Sequence, residues 1–187
     1  MSERESPEER GLTDPVAAQA SAAPVSVVKA GEGIGLWVPE EPPAELVPGQ
    51  EPQLSTYTFL ATTESTAGAL AFAHAVVPPG NGPPEHAHVD ADESFYVLGG
   101  RAWMCAGGRE LALEPGDYMF VPRGTRHTFK SRGDEPFRMI LTYTPAGMEE
   151  FFIEIGREAA AGRPAPRLSE EDIRRAEAAA VRRFYSG

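Results

Sequence analysis

The residues best suited to chemistry in this sequence are histidines. His86 and His88 stand one apart in Pro83-Pro84-Glu85-His86-Ala87-His88. Along an extended strand, residues two apart point to the same face, so the spacing presents two imidazoles side by side. Glu93 follows, opening the apolar run Phe95-Tyr96-Val97-Leu98, where a carboxylate at the lip of a strand offers a third, harder donor. A second cluster runs from Gly116 to His127: a strand stops at Pro122, the chain turns at Gly124, and another strand starts with His127. With the two stretches packed together, His127 completes a set of three imidazole nitrogens and one carboxylate oxygen. That donor set suits one divalent transition metal, Fe, Mn, Ni, Co, Cu or Zn, without choosing among them. Asp90 and Asp92 flank Glu93 as alternative carboxylates and read as solvated turn residues. His74 alternates with apolar neighbours in Phe72-Ala73-His74-Ala75-Val76 and either lines a cavity or is simply hydrogen-bonded. Cys105 has no basic neighbour in sequence to lower its pKa and reads as buried filler.

Short β-type runs must position these groups. They are predicted at Val25–Val28, Gly35–Val38, Ser55–Leu60, Ala69–Val77, Ser94–Leu98, Ala102–Cys105, Glu110–Leu113, Tyr118–Val121, His127–Lys130 and Phe137–Tyr143. Turn signals separate them, among them Pro78-Pro79-Gly80, Gly99-Gly100, Gly107-Gly108 and Pro115-Gly116. Many short strands at this spacing predict an all-β sandwich or barrel. The pattern changes after Pro145. Phe151, Phe152 and Ile155 share a helical spacing that predicts a helix over Met148–Ala160. A second helix should start after Ser169, with Asp172 completing a capping box and acidic Glu170 and Glu171 in its first turn. Its last turn carries Arg182 and Arg183, and Ile173, Ala176, Ala180 and Phe184 form its apolar stripe. Both helices are expected on the outside of the barrel or against a partner.

Composition sets the outer limits. The chain has 187 residues, enough to bury a core without disulfides or structural zinc, and a net charge of -11. That charge argues against nucleic-acid binding, which needs a basic footprint, and against anionic membrane surfaces. A single cysteine gives no sign of an oxidising compartment. The charged N-terminus has no signal-peptide apolar core and no run reaches a membrane span, so the expectation is a cytoplasmic protein. Residues 1–24 join a charged opening to an Ala/Ser/Pro stretch and are expected to be disordered. The expected organisation is that segment, a barrel over 25–147 and a helical extension over 148–187.

The two histidine stretches resemble the two cupin motifs. The first runs Gly80, five residues, His86, one, His88, four, Glu93, six, Gly100. The second runs Gly116, five, Pro122, one, Gly124, two, His127. The family's usual Asn shortly after that histidine falls at Ser131, a departure at a position that is not a ligand. The resemblance implies a double-stranded β-helix (jelly-roll) barrel with one or two C-terminal helices and a metal in its mouth. It makes His86, His88, Glu93 and His127 the ligands, with Glu93 preferred over Asp90 and Asp92 by motif spacing.

Within the cupins, the chain resembles single-domain quercetin 2,3-dioxygenase-like proteins. The likeness lies in Glu93–Leu98, in Phe137–Gly147 running into Glu149-Glu150-Phe151-Phe152, and in the terminal helix Ser169–Tyr185. It implies a metal-dependent dioxygenase acting on a small aromatic, flavonol-like or enolic substrate together with dioxygen, with Glu93 as possible general base. Two alternatives stay open. One is a non-redox cyclase or isomerase of a polyketide or aromatic metabolite; the other is a small-molecule-binding protein without catalysis. Cupins commonly pair, so a homodimer is expected.

Overall fold

The computed structural model describes residues 25–41, 53–160 and 162–185. The expectation for residues 1–24 lies outside the described residues. Two antiparallel sheets face each other. The larger is ordered β10-β1-β2-β3-β9-β4-β7 and the smaller β6-β5-β8. In chain order the strands are β1 (Ile34–Val38), β2 (Ser55–Ala61), β3 (Ala71–Val77), β4 (Asp92–Gly99) and β5 (Arg101–Ala106). They continue as β6 (Arg109–Leu113), β7 (Tyr118–Val121), β8 (His127–Arg132), β9 (Phe137–Thr144) and the two-residue β10 (Arg157–Glu158). Strict alternation builds the core. Ala71, Ala73, Ala75 and Val77 on β3 point inward, as do Phe95 and Val97 on β4 and Phe137, Met139, Leu141 and Tyr143 on β9. Phe59, Phe95 and Phe137 are almost wholly buried, each contributing roughly 1.5–3 kcal/mol of transfer free energy. The small alanines of β3 leave room for the rings opposite them.

The stretch before β4 matters most for the site. Residues 80–88 form no named strand, yet they run alongside β8. Gly80 N–H donates to Ser131 O (3.1 Å) and Ser131 N–H to Asn81 O (2.9 Å); His86 and His127 exchange both backbone bonds (3.0 and 2.8 Å). This segment thus lies along the free edge of the β6-β5-β8 sheet. Gly82 is required there: a Cβ at that position would sit 1.9 Å from Phe129 O. Gly100 closes the β4–β5 turn at φ +70°, in the left-handed region that favours glycine.

Helix α1 (Thr63–Thr66) is a single turn capped by Thr62. Helix α2 (Met148–Ile155) buries Met148, Phe152 and Ile155, with the Phe152 ring 4.7 Å from Tyr57 and 5.4 Å from Phe59. Helix α3 (Glu170–Ala180) starts at Ser169 in the predicted capping box with Asp172 and runs into a π-helical turn over Val181–Tyr185. No helix among the described residues is long and apolar enough to cross a membrane.

Three local expectations are corrected. Val25–Val28 is not a strand: it has no pairing partner and Val25 is almost wholly exposed. The first C-terminal helix ends at Ile155 rather than Ala160, because the chain extends after Gly156 so that β10 can pair with β1. On α3, Ile173 faces outward, while Asp172, Ala176 and Ala179 turn inward. Ion pairs from Arg157 and Arg175 to Asp172 fix that rotation.

Candidate metal centre

Each candidate ligand is placed by backbone pairing. Glu93 sits on β4 opposite Tyr143 of β9 on one side and Val121 of β7 on the other, which turns its side chain inward beside Phe95 and Val97. His127 opens β8 with Phe129 and Ser131 on the same inward face. His86 is held by its double bridge to His127, and His88 accepts from Gly124 N–H (2.6 Å) through its own carbonyl. All four side chains are buried, and one ligand atom from each lies within 4.8 Å of the others. Metal–nitrogen and metal–oxygen bonds of about 2.0–2.2 Å put opposed ligands roughly 4 Å apart, so small side-chain movements close the set around an ion.

Proton placement fits that use. His86 Nδ1 lies 2.9 Å from Pro84 O, and His127 Nδ1 lies 2.9 Å from Thr125 O. A carbonyl can only accept, so each Nδ1 carries a proton and each Nε2 is the ring atom turned inward; the Nε2 of His127 donates to Glu93, and a metal would take the place of that proton. His88 differs: its Nδ1 is buried without a hydrogen-bond partner, so no carbonyl holds its ring. Its Nε2 lies 3.0 Å from Glu93 Oε2, and His127 Nε2 lies 2.8 Å from the same oxygen. Burial opposes charge on Glu93, but hydrogen bonds from His127 and His88 outweigh it and hold the carboxyl far below its usual range. Burial likewise opposes a proton on His127, and the Glu93 carboxylate reverses that, raising its pKa. His86 is lowered to about 4 by burial and then by the neighbouring His127. Tyr143 adjoins the cluster, 5.4 Å ring to ring from His88, and burial and then the Glu93 charge push its phenol up, so it stays protonated.

The other candidates lie elsewhere. Asp92 binds Arg123 through backbone and side chain, and Asp90 pairs with Arg183 at 3.0 Å. His74 shares β3 with Ala73 and Ala75 but has the opposite parity, so it faces out and does not line the interior. Cys105 is half-buried on the outer face of β5 rather than buried in the core.

The family model for the cupin domain matches residues 73–143, the stretch that carries all four ligand candidates. A solved structure from Thermotoga maritima, described as a predicted oxalate decarboxylase, superposes with a TM-score of 0.54 at 21% identity, covering 64% of this chain and 99% of that one.

Residues 73–143 of the chain are a cupin domain.

An RmlC-like cupin from Shewanella frigidimarina shares the fold at a TM-score of 0.50 and 19% identity, over 67% of this chain and 96% of that one. Among curated relatives, this cupin is 33% identical over 85 residues to the tetracenomycin polyketide synthase protein TcmJ of Streptomyces glaucescens, covering 44% of this chain and 57% of the relative. It is 31% identical over 101 residues to the quercetin 2,3-dioxygenase of Bacillus subtilis, covering 54% of this chain and 29% of that enzyme. It is 29% identical over 108 residues to the polyketide synthase CurC of Streptomyces cyaneus, covering 58% of this chain and 69% of the relative. The match thus spans little more than half of TcmJ and under a third of the quercetin dioxygenase.

One neighbour of the cluster was not singled out from sequence. Phe184, at the far end of the chain, lies 4.9 Å from His86 and 5.3 Å from His88, ring to ring. Sequence placed it on the apolar stripe of its helix, but nothing local signals which surface that stripe meets.

Proposed function

We propose that this cupin is a metal-dependent dioxygenase for a small aromatic, enolic or flavonol-like substrate, with one transition metal held by His86, His88, Glu93 and His127. The observation that carries the reading is the buried convergence of three imidazoles and one carboxylate on a common point. When bound, the metal supplies Lewis acidity that lowers the pKa of a substrate hydroxyl and a template that gathers the reactants. The chain does the rest. Carbonyls at Nδ1 keep the Nε2 atoms of His86 and His127 turned inward as the metal donors, and Glu93 Oε2 is the acceptor for the substrate's hydroxyl proton. Tyr143 offers a hydroxyl donor beside that carboxylate. Phe95 and Phe129, 6.2 Å apart, exclude water from the inner side. The likeness to a quercetin 2,3-dioxygenase supports this substrate class.

The similarity to TcmJ and CurC favours a second reading, a non-redox cyclase or isomerase of a polyketide-type phenol. Two measurements separate the readings. Metal analysis of the purified protein should find about one transition-metal ion per chain, lost in His86→Ala. A panel of flavonols and enols added to the metal-loaded protein should then consume dioxygen. Turnover without oxygen consumption selects the second reading, and binding without turnover sinks both.

A homodimer belongs to the same proposal. On the outer face of β4 and the edge strand β7, Tyr96, Leu98, Tyr118 and Phe120 are exposed together, an apolar edge suited to a second copy. Phe120→Asp should convert a dimer to a monomer in sedimentation equilibrium; an unchanged mass rules out this edge.

A further inference from the structure

The C-terminal segment reaches across the molecule to the mouth of the ligand cluster and puts a ring there. Phe184 packs tilted against His86 (4.9 Å), edge-on to His88 (5.3 Å) and edge-on to Phe151 of α2 (4.8 Å). With it in place His86 and His88 are buried. Phe184 packs against the core while only partly buried, and two features make its ring a replaceable occupant. First, it is carried by the π-helical turn Val181–Tyr185, a rare geometry that is frequent at functional sites. Second, a cleft of about 280 Å³ adjoins the turn that carries it, lined by Glu150, Phe151, Glu154, Ala179, Arg182 and Arg183. The anchors just before it are ion pairs at or near the surface, Arg182 with Glu154 and Arg183 with Asp90 at 3.0 Å, a class of contact that contributes little and yields to salt, together with a contact of Arg183 on Met148 Sδ (3.3 Å).

We infer that the position of the Phe184 ring is the aryl subsite of the metal centre, and that Phe184 is an internal plug which an aromatic ligand displaces. The inference rests on the metal-centre reading and deepens it by naming the ring a substrate must present. Three rings, two of them ligand imidazoles, already form a slot that accepts one six-membered ring at ordinary aromatic separations. A planar aryl group that enters replaces contacts of the same kind, whereas a ligand without a ring leaves the slot unfilled. Phe184 therefore sets selectivity by competing for the place it discriminates.

The test has a metal-free arm and a metal-loaded arm, each with wild type, Phe184→Ala and Phe184→Leu. In the metal-free arm, acylation of histidines by diethyl pyrocarbonate is followed residue by residue by mass spectrometry. Removal of the ring should speed modification of His86 and His88 by about tenfold, with outward-facing His74 unchanged as internal control. In the metal-loaded arm, nickel-loaded protein is titrated with 4-nitrocatechol and with oxalate. Phe184→Ala should bind the catechol about tenfold more tightly, while oxalate gains threefold at most by the same scale. Unchanged modification rates in a folded Phe184→Ala protein overturn the plug, and equal gains for both probes overturn the aryl subsite. Should Phe184→Ala fail to fold, Phe184→Leu carries the same comparisons, with smaller gains supporting the inference and none overturning it. Failure of every variant to take up nickel counts against the metal reading alone; the aryl subsite is then read from 4-nitrocatechol protection of His86 and His88 against acylation. Greater protection in Phe184→Ala than in wild type supports it, and equal protection overturns it.

Discussion

The floor and the cover of the candidate metal centre are built in opposite ways. The floor is backbone: Glu93 is paired on both sides within the large sheet, and His86 and His127 exchange two main-chain hydrogen bonds. The cover is side chain: Phe184 is brought in by a segment whose nearest ties are the exposed pair Arg182–Glu154 and the partly exposed pair Arg183–Asp90. Backbone ladders are lost only when strands separate, whereas exposed ion pairs are individually weak and open locally. The contrast teaches that a fixed donor set can be combined with adjustable access when each uses a different class of interaction.

Predictions follow the contrast from its strongest element downward. His127→Ala removes a ligand from the floor and should weaken metal binding by about a hundredfold or more, measured by competition with a chromogenic chelator. An affinity within threefold of wild type would remove His127 from the site. Gly82→Ala drives a methyl against Phe129 O and should push residues 80–88 off β8. The expected cost is about 1–3 kcal/mol in urea unfolding, with weaker metal affinity because His86 and His88 move together. Loss of stability with unaltered affinity would show that the backbone bridge does not set the donor geometry. Arg183→Ala acts mainly on the cover, removing the pair with Asp90 and a contact on Met148 Sδ. It should change global stability by less than about 1 kcal/mol, yet speed histidine acylation, and added salt should mimic it in wild type.

The smallest effect concerns pH. Hydrogen bonds from Ser169, then the Arg157 charge, lower the Asp172 carboxyl from 3.8 to about 2. A carboxyl depressed in the folded state contributes stability that is full above its ordinary pKa and lost as pH falls toward the depressed value. The docking of α3 should thus hold down to about pH 4 and weaken between there and pH 2, with Asp172→Asn flattening that transition in circular dichroism. A transition of the same depth in Asp172→Asn would assign it to another group.

The floor was legible from sequence and the cover was not, for the same physical reason. A ladder leaves a local record: parity marks which residues share a face, and Gly, Pro and His at fixed offsets mark where strands turn. Parity also held the answer for His74, since Ala73 and Ala75 on either side were the inward residues. The capping box at Ser169 and Asp172 is equally local and was read correctly. By contrast, the rotation of α3 depends on Arg157 and Arg175 meeting Asp172, and its destination on Arg182 meeting Glu154 and Arg183 meeting Asp90. Charged residues like these look alike whether they face water or one another. Ile173 was accordingly assigned to the buried stripe when Asp172 occupies that side. The strand expected at Val25–Val28 shows the converse, an apolar run of the right composition that pairs with no strand.

Two imidazoles of the floor are aimed by carbonyls two residues earlier in their own chain, Pro84 for His86 and Thr125 for His127. Aim of this sort travels with the loop and asks nothing of any distant side chain. Exchanging Thr125 for another residue that keeps the turn should leave the ring pointing where it did. The instruction is carried by the course of the polypeptide itself, and a survey of side-chain identities around the cluster would overlook it.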